Sequence, residues 1–309
     1  MLGGLMALST SAHWNQTEAD WQAMLGFGQG WGLQVQEGAG RPRLAASTVV
    51  LPYDQRFAWV SMVLVLPEWR RQGLAKTLLR VALDHLQQRG IEAVLDATPA
   101  GHPVYQAQGF EDCWRFTRWR LAERITSPPT AQAATGVSPL QQADWPAVAA
   151  LDAQAFGANR LPLLQHLARR LPEAAWVLRQ GGVLRGYLLG RDGRTALQLG
   201  PLVVDSGNGG TTESGAIALL EAAAGALDRR AMGQHLVTDV RDGQAALQDR
   251  LADLGFTPER PFTRMVRPLP RTEVAHLHES AAAATGAGVD VQAPGDPSLI
   301  ALVAGPELG

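Results

Sequence analysis

The stretch MVLVLPEWRRQGLAKTLLR, from Met62 to Arg80, marks the place where an apolar strand gives way to a helix. The apolar run ends at Pro67, and an amphipathic helical pattern begins at Leu74. Two arginines and a glycine lie between them. The first amides of a helix lack internal acceptors and the helix dipole favours anions there, so this junction predicts an anion-binding loop. A solvated helix start with surface arginines is the alternative that the loop alone leaves open.

A repeat divides the chain into two similar halves. The segment GFEDCWRFTRW begins at Gly109 and GFTPERPFTRM begins at Gly255, and both carry Gly-Phe and Phe-Thr-Arg at the same spacing. Similar series of strands and helices precede both segments, as hydrophobic periodicity and Gly/Pro punctuation indicate. We therefore expect an α/β fold with a mixed sheet, built as two tandem domains of related topology.

The repeat also sets the expected boundaries. We predict domains at residues 1–125 and 137–270, a linker at 126–136 and a tail at 271–309. The linker is rich in Pro and small residues, which offer little to bury, and the tail is expected either to drape over the second domain or to be partly loose. The second copy opens with a short strand whose counterpart in the first copy would precede Met1. We therefore expect the first domain to lack its opening strand.

Composition argues against several functional classes. The chain has 309 residues, 46% of them hydrophobic, and a formal charge of −2, so no global basic field indicates a nucleic-acid partner. No apolar run is long enough for a membrane span, and we interpret residues 1–12 as a helix rather than a signal peptide. A lone cysteine, Cys113, fits a cytoplasmic protein, and a lone lysine, Lys76, beside many arginines indicates a bacterial one. His276 and His278 have no neighbouring metal-binding cluster, so we predict no metal.

The junction resembles the acyl-CoA signature of the GCN5-related N-acetyltransferase (GNAT) superfamily. The letters V-x-P and R-x-x-G-x-A of LVLPEWRRQGLAKTLL match that signature in order and spacing, and YQAQGF, from Tyr105 to Phe110, matches a second family feature. The specific likeness covers residues 31–121, and residues 140–267 share it only through topology and the repeat. The resemblance implies direct transfer of an acetyl group from acetyl-CoA to an amine of a small molecule.

The resemblance also implies which residues bind acetyl-CoA. The strand before Pro67 would offer backbone groups to the pantetheine arm, and the loop amides would hold the pyrophosphate. The residues assigned to acetyl-CoA in this way are Val63, Leu64, Val65, Arg70, Arg71, Gln72, Gly73, Leu74, Ala75, Lys76 and Thr98.

Two side chains are candidates for acid and base. Tyr105 stands where the family keeps a tyrosine, and a phenol with a reference pKa of about 10 stays protonated and donates to a leaving thiolate. Packing of the tyrosine on the sheet is the alternative. Asp96 ends the preceding strand, where ligands collect in α/β folds, and would orient the amine or accept its proton. It could equally cap the turn at Pro99.

The segment SAHWNQTEADW is the candidate wall of the acceptor site, because in the family the connection between the first two helices often has that position. Trp14, Asn15 and Glu18 are the candidate substrate-binding residues. Trp14 and Trp21 would form an aromatic wall, and Glu18 would attract a cationic amine. The alternative is a helix N-cap at Thr17 followed by core tryptophans.

The second copy lacks both features of the signature. Its loop has glycines but no arginine, Asp205 and Glu213 carry the wrong sign for a pyrophosphate, and Leu251 takes the place of Tyr105. We therefore expect a degenerate second copy, with no nucleic acid or membrane as partner and a homodimer as a possible assembly. A non-catalytic acyl-CoA or metabolite-binding protein, serving as a sensor or assembly module, is the alternative function.

Overall fold

The computed structural model of the chain describes residues 1–36, 40, 42–121, 136–205, 207, 212–227, 235–269 and 291–309. The helices are α1 (Leu2–Ser11), α2 (Glu18–Phe27), α3 (Leu74–Gln88), α4 (His102–Gln106), α5 (Trp145–Phe156), α6 (Leu161–Arg170), α7 (Thr212–Leu227) and α8 (Ala245–Asp253). The strands are β1 (Gln29–Val35), β2 (Arg43–Tyr53), β3 (Phe57–Val65), β4 (Glu92–Ala97), β5 (Glu111–Leu121), β6 (Val137–Pro139), β7 (Trp176–Gln180), β8 (Val183–Arg191), β9 (Ala196–Val204), β10 (His235–Arg241), β11 (Thr257–Arg267) and β12 (Ile300–Leu302).

The described strands join one continuous mixed sheet, which confirms the predicted α/β class. Their order is β1-β2-β3-β4-β11-β5-β10-β12-β9-β8-β7-β6. Strand β1 forms one edge, and β6 forms the other beside β7. The described part of the first half therefore has no strand equivalent to β6, as the repeat predicts.

The last strand of each half crosses into the other half. Strand β11 pairs with β4 of the first half, and β5 pairs with β10 of the second half. The two crossing strands also pair with each other, antiparallel, with Phe262 opposite Phe116. The two Phe-Thr-Arg segments that reveal the repeat thus meet at the centre of the sheet, and each half completes its sheet with a strand of the other.

Two buried ion pairs follow the same crossed pattern. Arg264 on β11 donates to both oxygens of Asp96 on β4, each at 2.9 Å. Arg118 on β5 donates to both oxygens of Asp239 on β10, at 2.8 and 2.7 Å. A buried charge is costly unless it is paired and hydrogen-bonded, so each pair joins a crossing strand to its neighbour from the other half.

A short strand near the last described residues is inserted into the sheet. Strand β12 lies between β9 and β10, with Leu302 opposite Val240 and Ile300 opposite Val203. Its three residues are buried. Residues 122–135, which include most of the linker predicted at 126–136, and residues 270–290 with His276 and His278, lie outside the described residues. In the ranges that the structure describes, no helix is both long and apolar enough to cross a membrane.

Candidate active site

A wedge-shaped opening separates β3 from β4. These parallel strands pair only from Phe57 to Trp59, against Glu92 to Val94, and diverge toward their carboxyl ends. On β3 the pairing with β2 shifts register between Ser47 and Val49, and Met62 has a φ of 52°. This bulge bends the strand away from its neighbour. Between Val60 and Val65, β3 therefore presents main-chain groups to the opening that are not used by β4.

The loop that follows β3 presents an uninterrupted row of free amides. The main-chain N–H groups of residues 71 to 76 have no acceptor in the part of the chain that the structure describes. Arg71 has a φ of 62°, Gly73 has a φ of 81°, and nothing lies within 4 Å of where a Cβ of Gly73 would be. Successive amides in left-handed conformation are typical of loops that bind anions, and the dipole of α3 adds positive potential at this end of the helix.

Basic side chains surround that row of amides. Arg70, Arg71 and Lys76 are exposed, and Arg70 Nε also donates to the Val65 carbonyl at 3.2 Å. The loop therefore has unpartnered donors, positive charge and open space together, which is what a phosphate group needs. Gln72, Leu74 and Ala75 contribute their main-chain amides to the same row.

A cleft of about 520 Å³, partly open to solvent, lies at the opening between β3 and β4. The predicted residues that it brings together come from four segments of the first half. Residues of the second half and of the chain end form the remaining wall. The lining residues are Trp14, Asn15, Gln16, Val60, Ser61, Met62, Val63, Asp96, Thr98, Tyr105, Arg118, Arg260, Phe262, Pro306 and Glu307.

Tyr105 enters this cleft from α4. Its ring packs against Phe110, with ring centroids 5.9 Å apart, and its hydroxyl has no hydrogen-bond partner among the described residues. Burial raises the pKa of Tyr105 to about 12. The phenol is therefore protonated at neutral pH, with its proton free to be donated.

Asp96 and Thr98 stand at the carboxyl end of β4, and both have partners. Burial raises the pKa of Asp96, and Arg264 opposes that rise. The turn that follows is capped by Thr98, whose Oγ1 accepts from the Gly101 amide at 3.2 Å. Asp96 therefore pairs with Arg264. The alternative role of Asp96, capping the turn at Pro99, belongs to Thr98 instead.

The candidate acceptor wall divides into residues inside and outside the cleft. Trp14 and Asn15 line it, and Asn15 also binds the second half, with Nδ2 donating to Ala196 O at 2.9 Å. Glu18 is exposed at the start of α2 and does not line the cleft. Trp21 is fully buried in the core. The N-cap alternative is confirmed, because Thr17 forms a reciprocal capping box with Asp20.

The sequence analysis missed the lining residues that come from the other half. Arg260 and Phe262 reach the cleft because β11 crosses into the first half, and Pro306 and Glu307 reach it beyond β12. No local pattern marks Glu307, which follows a Gly-Pro pair near the end of the chain. Gln16 belongs to the segment of the candidate wall but is not among the predicted substrate-binding residues. It is 4% exposed and lines the cleft.

The equivalent place in the second half has a different structure. The Phe110 amide donates to Tyr105 O at 3.2 Å, and the Phe256 amide donates to Leu251 O at 2.9 Å, so Leu251 occupies the position of Tyr105. Leu251 is fully buried. The opening between β9 and β10 is filled by β12. The loop after β9 lies largely outside the described residues, at 206 and 208–211.

Other chemistry of the cleft is limited by its residue types. Among the described residues no group of three or more His, Cys, Asp or Glu side chains is placed to hold a metal ion. Asp205 pairs with Arg185 at 2.8 Å, on the loop side of the second half. In the first half the free amides follow β3 in the chain and the protonated phenol lines the cleft where β3 and β4 diverge, while residues 70–76 do not themselves line that cleft.

Comparison with protein families finds two matching regions. Residues 10–110 match the model described as "Acetyltransferase (GNAT) family", and residues 148–278 match the one described as "Acetyltransferase (GNAT) domain". Together these regions cover most of the chain and correspond to its two halves. A relative from Bacillus subtilis (strain 168), named "Uncharacterized N-acetyltransferase YitH", is 24% identical over 258 residues, covering 82% of this chain and 84% of its own.

Solved structures share the arrangement of both halves. A putative acetyltransferase from Pyrococcus horikoshii superposes with a TM-score of 0.69 at 16% identity, covering 99% of this chain and 91% of its own. A tandem GNAT protein from the clavulanic acid biosynthesis pathway superposes with a TM-score of 0.61 at 17% identity, covering 86% of this chain and 94% of its own. At these identities the likeness shows the fold alone.

Proposed function

Because the chain belongs to the GNAT superfamily as two tandem GNAT domains, we propose that its first half transfers an acetyl group from acetyl-CoA to an amine of a small molecule. The observation that carries this proposal is the row of unpartnered amides from 71 to 76, in the loop that directly follows β3. The protonated Tyr105 lines the cleft at the opening between β3 and β4.

The residues present fit acetyl-CoA. The amides of Arg71 to Lys76 and the neighbouring cationic side chains would hold the pyrophosphate. The free main-chain edge of Val63, Leu64 and Val65 would bind the pantetheine arm, with Thr98 on the opposite side of the opening. Acetyl-CoA would supply the thioester, and no metal is required for attack by an amine on that carbonyl.

Tyr105 would act as the proton donor. Its raised pKa keeps the proton in place until the sulfur of the leaving group gains negative charge. A thiolate has a reference pKa of about 8.5, so a hydrogen bond from the phenol stabilises it without complete proton transfer. We expect the phenol to contribute most when the bond between carbonyl carbon and sulfur breaks.

We propose two roles for Asp96, as a structural partner of Arg264 and as a proton acceptor for the amine. Both of its oxygens accept from Arg264, so it holds β11 in place, and it lines the cleft as well. A role as proton acceptor would need a lone pair left free by the arginine. The test described in the Discussion separates the two roles.

A single acyl-CoA site per chain is expected. In the second half, β12 occupies the place that the pantetheine arm would take, and Leu251 replaces the phenol. The second half would then serve the first by supplying part of its acceptor wall. A free thiol in Cys113 and the use of acetyl-CoA fit our proposal of a cytoplasmic bacterial enzyme.

Titration calorimetry with acetyl-CoA tests this proposal. We expect one site per chain in the wild type and loss of binding in an Arg71→Glu, Gly73→Asp double variant. The matched control is Arg80→Glu, Gly243→Asp, since Arg80 is exposed on the same helix and Gly243 has a φ of 88° with nothing near its Cβ position. Absence of binding in the wild type would refute the enzyme proposal, and two sites would refute the degenerate second half.

A Tyr105→Phe variant tests turnover separately from binding. We expect normal affinity for acetyl-CoA and a rate lowered by about 10²-fold or more, since the proton donor is lost. An unchanged rate would remove Tyr105 from the mechanism. A wild type that binds acetyl-CoA but acetylates no amine would favour the alternative of a non-catalytic binding protein.

A further inference from the structure

We propose that the acceptor carries a carboxylate as well as its amine, and that Arg260 binds the carboxylate and Glu307 the amine. This inference rests on the proposed function and names its substrate class. Both residues line the cleft next to Tyr105, and both come from beyond the first half of the chain.

Arg260 is the cation without a carboxylate partner in this part of the described structure. Its neighbour Arg118 pairs with Asp239 at 2.7 Å, and Arg120 pairs with Glu259 at 2.8 Å. No carboxylate of the described residues lies within ion-pairing distance of Arg260, and its Nε is buried without an acceptor. An unpaired buried donor is costly, so a ligand that supplies the acceptor atoms gains that free energy on binding.

The surroundings of Arg260 favour an anion rather than a neutral acceptor. Its guanidinium carbon lies 4.7 Å from the Phe262 ring centroid, and that of Arg118 lies 5.4 Å from the same centroid. Burial and the charge of Arg118 both lower the pKa of Arg260. Asp239 and Glu259 oppose that lowering, but they are already paired with Arg118 and Arg120, and a planar carboxylate of a ligand would match the fork of Arg260.

Glu307 supplies negative charge on the same cleft. It is 5% exposed, and its Oε1 accepts from Arg191, while Oε2 receives no hydrogen bond from any described residue. Gly305 leaves room for the carboxylate, because a Cβ there would lie 3.0 Å from Oε2. Trp59 Nε1 donates to Pro306 O at 3.0 Å and fixes the segment. Glu307 is therefore held in place with one oxygen available to a cation.

Two further polar atoms in the cleft have no partner. Gln16 Oε1 and Ser61 Oγ are buried and make no hydrogen bond in the described structure, although both side chains line the cleft. Gln16 is 4% exposed and Ser61 is 6% exposed. An amide oxygen accepts only, so Gln16 calls for an N–H donor, which an amine or ammonium group provides.

The unpartnered groups of the cleft are thus complementary to ligand groups of opposite charge. Arg260 needs an anion, and Glu307 and Gln16 need N–H donors. An acceptor with both an amino and a carboxylate group satisfies all three, whereas a plain amine leaves Arg260 buried and unpaired. Sites built around buried polar groups discriminate strongly against analogues that lack the matching group.

Amino acids and their decarboxylated amines, assayed in pairs as acceptors, test this inference. The wild type would be assayed by release of CoA thiol with leucine, phenylalanine and lysine, each beside its decarboxylated amine. We expect the amino acids to have kcat/KM values about 10- to 100-fold above those of their amines, because a charge-assisted hydrogen bond is involved. An Arg260→Gln variant is expected to lose this preference through a higher KM for the amino acids, with the amines unaffected. Arg115→Gln is the control, since Arg115 is exposed and does not line the cleft.

A Glu307→Gln variant tests the other end of the acceptor. We expect a rise in KM for amino acids and amines alike, with unchanged affinity for acetyl-CoA, which a general loss of structure would not leave intact. Equal kcat/KM for acids and amines in the wild type would overturn this inference alone, whereas acetylation of neither series by protein that binds acetyl-CoA would overturn the proposed function with it. Failure of the wild type to bind acetyl-CoA would refute the proposed function.

Discussion

Phe262 lies opposite Phe116 on antiparallel strands, and their rings are stacked with centroids 5.0 Å apart and planes 7° apart. The two residues hold equivalent positions in the repeat, so the stack marks an approximate two-fold axis that relates the halves. The crossed ion pairs of Asp96 with Arg264 and of Asp239 with Arg118 lie on either side of it. The joint between the domains is therefore made from the residues that the repeat shares.

Removal of either stacked ring should destabilise the whole chain. Both rings are buried, so Phe116→Ala and Phe262→Ala are each expected to lower the free energy of unfolding by about 3–5 kcal/mol. In the double variant the coupling should be about 0.5–1.5 kcal/mol, as for stacked aromatic pairs. Urea unfolding followed by fluorescence gives both values.

Phe27→Ala is the control for that cycle, because the Phe27 side chain is 40% exposed. Its effect should stay within about 0.5 kcal/mol. Two separate unfolding transitions in the Phe116→Ala variant would contradict a shared core at the joint.

Asp96→Asn and Asp239→Asn should destabilise the protein to the same degree. Each change leaves one buried arginine without a counter-charge, which costs about 3–5 kcal/mol. Each aspartate accepts from both donors of one arginine, Asp239 accepts in addition from Gln198 Nε2 at 3.0 Å, and of the two only Asp96 lines the cleft. We expect similar losses of unfolding free energy and similar losses of activity when rates are corrected for the folded fraction.

A much larger loss of rate in Asp96→Asn than in Asp239→Asn, at equal folded fraction, would instead assign Asp96 a part in the reaction. Unfolding free energies that match the wild type would show that neither pair fixes the strand exchange.

A Leu302→Asp variant should remove the acceptor wall and spare the acyl-CoA site. Leu302 is fully buried in β12, and a carboxylate there has no partner, so the strand is expected to leave the sheet. Glu307 would lose its position, and kcat/KM should fall by more than about tenfold. Calorimetry should show unchanged affinity for acetyl-CoA. Gln292→Asp is the control in an exposed part of the same segment, and wild-type activity in Leu302→Asp would contradict a role of β12 in the site.

The protein should lose stability as the pH rises above 10. Burial raises the pKa of Tyr105 to about 12 and raises those of Tyr53 and Tyr187 as well. An unfolded chain loses its phenol protons near pH 10. Above that pH the unfolded state binds fewer protons than the native state, so the free energy of unfolding must fall as the pH increases.

Urea unfolding between about pH 8 and pH 11, together with the ultraviolet absorbance of tyrosinate, measures this dependence. These three are all the tyrosines of the sequence, so the signal belongs to them alone. Tyrosinate absorbance that develops near pH 10 while the protein is folded would disagree with their burial.

Local patterns predicted most of the elements of each half. Helix α3 spans Leu74–Gln88, as the amphipathic pattern that begins at Leu74 predicts, because its apolar residues recur at helical spacing and Gly73 precedes it. Helix α6 is amphipathic but is not among the predicted elements.

The strand exchange could not be predicted in the same way. In the repeat, β5 and β11 have the same alternation and the same Phe-Thr-Arg segment, so each suits either partner strand equally well by pattern. Strand β12 has three residues, too few for a periodic signal, which is why Glu307 was not recognised.

The loop of the candidate site could be predicted because its function depends on main-chain amides at a fixed spacing. That spacing is visible in the sequence. The acceptor wall depends on side chains brought together from distant parts of the chain, such as Asn15 and Glu307. Such contacts leave no trace in a single sequence.

The exchange of β5 and β11 also bears on how the chain reaches its native state during synthesis. When the ribosome has completed the first half, β4 has one side unpaired until β11 emerges, so the nascent chain carries an open sheet edge through most of translation. Neither half contains all the strands of its own part of the sheet. A second copy without its own acyl-CoA signature is thereby retained as an indispensable part of the first one's fold.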